Sequence, residues 1–286
     1  MMKALDGLRE IAPDYDAILS DVWGVLHNGA VAHPSAVEAL VNYRRQGGRV
    51  VLITNAPRPA APIIELLDGM GIVREAYDAL VSSGGATRAI LAAEYRGKTL
   101  HYVGPPVEND ALFEGLDITL GPAEAASAVV VTDLDDDDET PDMYEDRIRL
   151  WLSRHLPMLC ANPDRVVEDG DRIIYCGGAI ADLYEAHGGM IRMIGKPYRP
   201  IYTEALHQAE LTAGHSLDRS RILAIGDSVR TDAIGAAGAG LDLLFITGSI
   251  HAAELDAFGQ PDPASIEALL RPSEANVAGF MAKLGW

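Results

Sequence analysis

Four segments carry side chains whose types and order could do chemistry: Asp21 in Ile18-Leu19-Ser20-Asp21-Val22-Trp23-Gly24, Thr54-Asn55, Gly195-Lys196-Pro197, and Gly226-Asp227-Ser228-Val229-Arg230-Thr231-Asp232. Carboxylates, a hydroxyl and a lysine are the groups that nucleophilic attack and stabilisation of developing charge use. Each has a plain explanation when taken singly. An aspartate after a strand often caps the next turn, Gly-Asp-Ser is common in loops, and a lysine before a Pro-initiated helix is usually solvated. The set carries more weight, because Asp21, Thr54 and Asp227 each follow or end an apolar, β-branched run that reads as a strand. In a parallel sheet all such ends open on one edge, where ligands bind.

The elements that must position them alternate. Strand-like Ala17–Ser20 and Arg49–Thr54 are interleaved with helical patterns at Pro34–Gln46 and Pro59–Met70. The same grammar returns with a helix at Ile201–Ala213, a strand at Arg221–Ile225, a helix at Thr231–Ala239 and a strand at Leu241–Thr247. This alternation predicts βαβ units, and the two stretches read as halves of one doubly wound α/β parallel sheet. Between them lie strand candidates at Thr99–Val103, Ala128–Val131, Pro157–Ala161 and Arg172–Tyr175 and helices at Thr87–Tyr95 and Met143–His155. An insert of that length is too long for a loop. The expected division is 1–79 core, 80–190 α/β cap and 191–286 core.

With 286 residues and 48% apolar content the chain can bury one large core or two modest ones. Leu5, Leu8 and Ile11 recur at the spacing of a short amphipathic helix across Met1–Pro13, which fits neither a signal peptide nor a membrane span. Two cysteines, Cys160 and Cys176, are too few for a disulfide framework and point to a reducing cytoplasm. The net charge of -19 argues against nucleic acid and against an anionic membrane as partner. It would also repel a phosphorylated metabolite unless local cations or a bound metal reversed the field. The run Asp133–Glu139 reads as a solvated acidic loop, lacking the spacing and turn glycine of an EF-hand. Gly235, Gly238 and Gly240 follow a helix start instead of a strand, against a dinucleotide fingerprint and in favour of close helix packing.

Taken in order, the four segments resemble the haloacid dehalogenase (HAD) superfamily of aspartate-nucleophile hydrolases, most of which are magnesium-dependent phosphatases. The large α/β insert between the second and third segments is similar to the cap of the type IIA branch, which includes p-nitrophenyl-phosphatase-like enzymes. Ser82-Ser83-Gly84-Gly85-Ala86-Thr87, Asn162-Pro163-Asp164 and Cys176-Gly177-Gly178 extend the likeness through the insert. The resemblance implies a Rossmann-like core with an inserted cap, a small phosphorylated substrate, magnesium (Mg2+) as cofactor, and allows a homodimer through the cap. It makes Asp21 the nucleophile, Thr54 a hydroxyl donor to the transferring phosphoryl group, and Lys196 a positive charge against both. Asp21, Asp227, Asp232 and the backbone carbonyl of Trp23 would hold the metal. Asn55 and Arg58 are the expected substrate-binding residues, although Arg58 could equally lie at the helix start, and the cap segments near Asn162-Pro163-Asp164 and Cys176-Gly177-Gly178 would face the substrate.

One position departs from the pattern. Such phosphatases carry a second aspartate two residues after the first, as general acid and base, and this chain has Trp23 there. An indole N–H has no useful acidity. The implied outcomes are a phosphatase dependent on good leaving groups or on a substitute acid such as His27, a dehalogenase-type hydrolase, or a catalytically quiet protein that binds a phosphorylated ligand. Retention of both Asp227 and Asp232 speaks against dehalogenation.

Overall fold

Five consecutive buried residues form β1 (Ala17–Asp21), followed by β2 (Arg49–Thr54) and β3 (Ala79–Ser82), with helices Pro34–Arg45 and Ala60–Gly69 between them. This is a computed structural model, and it describes residues 2–105, 110–169, 172–255 and 261–286. The chain then builds β4 (Thr99–Val103), β5 (Thr119–Leu120), β6 (Val129–Val131), β7 (Met158–Cys160), β8 (Val166–Asp169), β9 (Arg172–Tyr175) and β10 (Ile191–Met193). It ends with β11 (Ile222–Gly226), β12 (Asp242–Ile246) and β13 (Asn276–Met281).

The first and last groups share one parallel sheet of order β13-β12-β11-β1-β2-β3. The order reverses between β1 and β11, which makes their carboxyl ends the switch point where ligands bind in doubly wound sheets. Alternate residues face opposite layers. Ile18, Val50, Leu52 and Leu244 pack with Leu40 and Tyr43 of helix Pro34–Arg45, while Leu19, Val51, Ile53 and Phe245 pack with Ile201, Ala205 and Ala209 of helix Arg199–Ala213. Each such apolar side chain contributes about 1.5–3 kcal/mol when fully buried, so covering both faces fixes strand register and thereby the height of Asp21 on the rim.

The insert forms its own parallel sheet, β10-β7-β6-β4-β5, and β8 and β9 make a separate antiparallel hairpin. Sheet membership moves the expected boundaries slightly. β3 completes the six-stranded sheet through Ser82, beyond 79, and β10 pairs with β7 beyond 190, because each strand finds backbone partners there. At the crossing the Ser83 hydroxyl donates to the Ile194 carbonyl, so the two chain passages into and out of the insert are bonded to each other.

Three local expectations are corrected. The first residues are two 3-10 turns, Leu8–Glu10 and Ala12–Asp14, instead of one helix, because the segment before them hydrogen-bonds along β13 through Leu5 N to Phe280 O and Phe280 N to Lys3 O. The helix expected at Thr231–Ala239 starts as a π-turn, Val229–Ala233, before Ile234–Ala239. Of the three glycines after it, only Gly235 serves close packing, since a Cβ there would lie 2.2 Å from the Tyr202 hydroxyl; Gly240 ends the helix with φ +70° and Gly238 has open space. Among the described residues no helix is long and apolar enough to cross a membrane.

Candidate functional site

β1 delivers Asp21 to the rim, and its Oδ1 accepts from Val22 N at 2.7 Å and lies 2.6 Å from Lys196 Nζ. Lys196 Nζ also reaches Asp232 Oδ1 at 2.8 Å, so one ammonium group bridges two carboxylates at 2% exposure. Burial disfavours that charge, yet Asp21 and Asp232 outweigh it and hold the lysine well above its usual range. Asp227 follows β11, and carboxylate oxygens of Asp21, Asp227 and Asp232 lie within 4.8 Å of one another. No other such group of potential metal-ligating side chains occurs among the described residues. The π-turn serves this cluster, because it lays Asp232 over Gly226, where a Cβ would come within 2.2 Å of the Asp232 Cγ.

The electrostatics call for a cation. Burial and then the Asp232 charge push Asp227 up to about 7, and burial, with Asp232 and Asp227 against the pull of Lys196, raises Asp21 well above the carboxylate range. Three carboxylates against one ammonium leave net negative charge in a closed place, and hard oxygen donors of this kind suit a small divalent ion. Trp23 and Gly24 bring backbone to the same point. At Gly24, with φ +87°, a Cβ would sit 2.1 Å from Asp227 Oδ2. A Gly24→Ala exchange should therefore displace Asp227; a thermal-shift titration with magnesium should stabilise the wild type and leave the variant unmoved.

Thr54 ends β2 with its Oγ1 accepting from Ala56 N at 3.2 Å, which leaves its proton to be donated. Asn55 makes bonds that the sequence did not announce. Its amide oxygen accepts from Lys196 N at 2.6 Å, and its amide nitrogen donates to Lys196 O at 3.2 Å and to Asp164 Oδ1 at 3.0 Å. Both amide hydrogens are thus spent on protein, so Asn55 orders the lysine loop, while it also lines the cavity. Arg58 lines the cavity above the rim, and Gly84 lets its backbone approach, since a Cβ there would lie 2.3 Å from Arg58 N.

That cavity, about 660 Å³, is of a size for a small metabolite. Core residues Asp21, Trp23, Thr54 and Arg58 floor it, and the insert roofs it with Asn162, Pro163, Asp164 and Cys176 together with the hairpin residues Val166 and Ile174. Ile63, Leu66 and Met70 add an apolar wall. The acidic run contributes Asp133 and Asp137 to the lining, while Asp135 and Asp138 pair with Arg147 and Arg172.

Trp23 packs its ring 5.1 Å from that of His27 at 60°. His27 is buried, its Nδ1 accepts from Gly29 N at 2.9 Å, and burial, then His33, lowers its pKa to about 4. A neutral ring with Nδ1 already accepting from Gly29 weighs against His27 as the substitute acid near neutral pH. Because the folded value lies below the unfolded one, the neutral ring contributes stability above about pH 6.5 that is lost as pH falls through about 4, on the order of 3 kcal/mol. His27→Asn keeps an acceptor for Gly29; chemical denaturation at pH 7 and pH 4 should show a smaller loss for this variant than for the wild type.

Sequence reasoning did not single out Gly24, Ser249 or His251, all at the rim or lining the cavity. They are brought there by turns after β1 and β12, and the only available signal was their position just past strand ends.

The chain matches the family model of haloacid dehalogenase-like hydrolases over residues 18–118 and a HAD-hydrolase-like model over 193–270. It is 40% identical to a haloacid dehalogenase-like hydrolase of Brucella suis 1330, whose crystal structure superimposes with a TM-score of 0.86 over 98% of this chain and 99% of that one. Human chronophin is 27% identical over 285 residues, 89% of this chain and 90% of chronophin. The fold also matches glycerol phosphate phosphatase of Mycobacterium tuberculosis in complex with magnesium, at 20% identity and a TM-score of 0.65, over 98% and 77% of the two chains.

Proposed function

Because this chain belongs to the haloacid dehalogenase-like hydrolase family, we propose that it is a magnesium-dependent phosphatase which hydrolyses a small phosphomonoester through an aspartyl phosphate on Asp21. The observation that carries this reading is the buried Asp21–Lys196–Asp232 bridge beside Asp227 at the sheet's switch point. The phosphatase name of the mycobacterial relative, and the magnesium in its structure, support it.

Lys196 and Val22 N both donate to Asp21 Oδ1, which leaves Oδ2 the more nucleophilic oxygen. Oδ2 attacks phosphorus as the ester P–O bond breaks and its electron pair leaves with the alcohol oxygen. Thr54 Oγ1–H donates to a phosphoryl oxygen, and Lys196 keeps the carboxylate oriented and offsets charge in the transition state. Magnesium, held by Asp21, Asp227, Asp232 and the Trp23 carbonyl, would neutralise phosphoryl charge. Water then cleaves the acyl phosphate and restores the Asp21 carboxylate.

Trp23 can neither protonate the leaving oxygen nor deprotonate that water. Substrates whose leaving group is already stable as an anion, aryl or acyl phosphates, therefore suit the site best, and the wall of Ile63, Leu66 and Met70 accepts their apolar part. Inorganic phosphate release from acetyl, p-nitrophenyl and sugar phosphates, with magnesium and with chelator, tests the reading. Magnesium-dependent turnover that falls from the first two to the third is expected. Absence of turnover on all three, with magnesium-dependent ligand binding retained, would replace it with a phosphate-ligand-binding role.

A further inference from the structure

We propose that Asp164 is a positioning residue: through Asn55 it makes the placement of Lys196 depend on the insert's 162–164 loop being seated on the core. The phosphatase reading supplies what Lys196 does; the linkage itself stands on geometry.

The chain of contacts is short and fully specified. Asn55, 2% exposed, grips both backbone polar groups of Lys196, and its remaining amide hydrogen goes to Asp164 Oδ1 at 3.0 Å. Lys196 Nζ in turn reaches Asp21 and Asp232 within 2.8 Å, so a small shift of its backbone breaks both contacts. Asp164 belongs to the insert, and Asn55 follows β2 of the core. This bond therefore crosses between the two sheets.

Both partners are mounted stiffly. On the insert side Asp164 N donates to Asn162 Oδ1 at 3.2 Å, Asp164 O accepts from Gly178 N at 3.0 Å, and the Cys160 thiol donates to Asn162 O at 3.1 Å. Arg165 forms an ion pair with Asp182 in the following helix. A Cβ at Gly178 would lie 2.3 Å from Pro163 O, so the loop and the helix start are in direct contact. On the core side Gly195 has φ +123°, and a Cβ there would come 2.6 Å from Asn55 Oδ1 and 3.0 Å from Pro163. When the loop lifts away, Asn55 keeps its grip on Lys196 but loses the acceptor that fixes its amide plane, and a buried N–H is left without a partner. Seating the insert and setting the lysine are thus one event.

The test combines amide hydrogen exchange of the peptide holding Lys196 with kcat and KM for p-nitrophenyl phosphate, in Asp164→Ala, Asp164→Asn, Asn55→Ala and Asn55→Ala/Asp164→Ala. Asp164→Ala should speed exchange of the Lys196 N–H and lower kcat, each by about tenfold, with KM changed less than about twofold. Asp164→Asn, which retains an acceptor oxygen, should stay within about threefold of wild type in both. The double variant should be no worse than Asn55→Ala alone. Unchanged exchange at Lys196 in Asp164→Ala, losses that add in the double variant, or an Asp164→Asn loss as deep as Asp164→Ala would each overturn the proposal. A wild type without turnover would remove the phosphatase reading, and the exchange measurements would still decide the linkage.

Discussion

Asp21→Asn should abolish phosphate release, by roughly 10⁴–10⁶-fold, while leaving the fold intact. The amide oxygen at this position can still accept from Val22 N and Lys196 Nζ, which lie 2.7 and 2.6 Å from Oδ1 in the wild type. What disappears is the anionic oxygen that forms the bond to phosphorus. Stability should not fall with it, since burial and the neighbouring charges of Asp232 and Asp227 already push the Asp21 carboxyl well above its normal range. The variant should melt in chelator at or above the wild-type temperature and should lose most of its response to magnesium. Phosphate release above about one tenth of wild type would sink the nucleophile assignment, because no slower route could supply so much.

The second large effect should be a gain. Trp23→Asp places a carboxyl where an acid and base is missing, and positioned proton transfer is worth roughly 10²–10⁴-fold. The gain belongs to alkyl phosphates, whose leaving oxygens need a proton, and aryl phosphates should change little in their first step. Wild-type turnover should accordingly fall steeply as leaving-group basicity rises, and the variant should flatten that slope. A second signature concerns water attack. With no base beside the acyl phosphate, the wild type should release a burst of p-nitrophenol before steady state, and the variant should shrink it. Loss of the indole next to His27 opens space, so a melting temperature must accompany the kinetics. Equal slopes for the two proteins would mean that Trp23 does not limit the reaction.

Much of the site was legible because strand ends carry it. Asp21, Thr54 and Asp227 each follow a run of buried residues whose composition announces a strand, and a parallel sheet puts such ends on one edge. The bonds of Asn55 to Lys196 and Asp164 were not legible, because these partners are 141 and 109 residues away and no local pattern reports them. Helix Gly177–Ala186 was hidden by its two leading glycines, poor helix formers which packing against Pro163 and Asp164 requires at Gly178. Val166–Asp169 is a strand only by pairing with Arg172–Tyr175, as half its residues are acidic. The boundaries moved by a few residues for the same reason: β3 and β10 are defined by neighbours, not by their own sequence.

The bond between Ser83 and Ile194 bears on how this chain folds. β1 must find β11 across an interval of about 200 residues, and roughly half of that interval is the insert. If the insert folds first, its two ends emerge side by side, and the core is joined as though by a short connector. For a stretch of roughly 110 residues the chain entropy removed in this way is about 4 kcal/mol. Association of the two core halves should then be fast once the insert is formed and slow before it, so a destabilised insert would delay refolding of a sheet to which it contributes no strand.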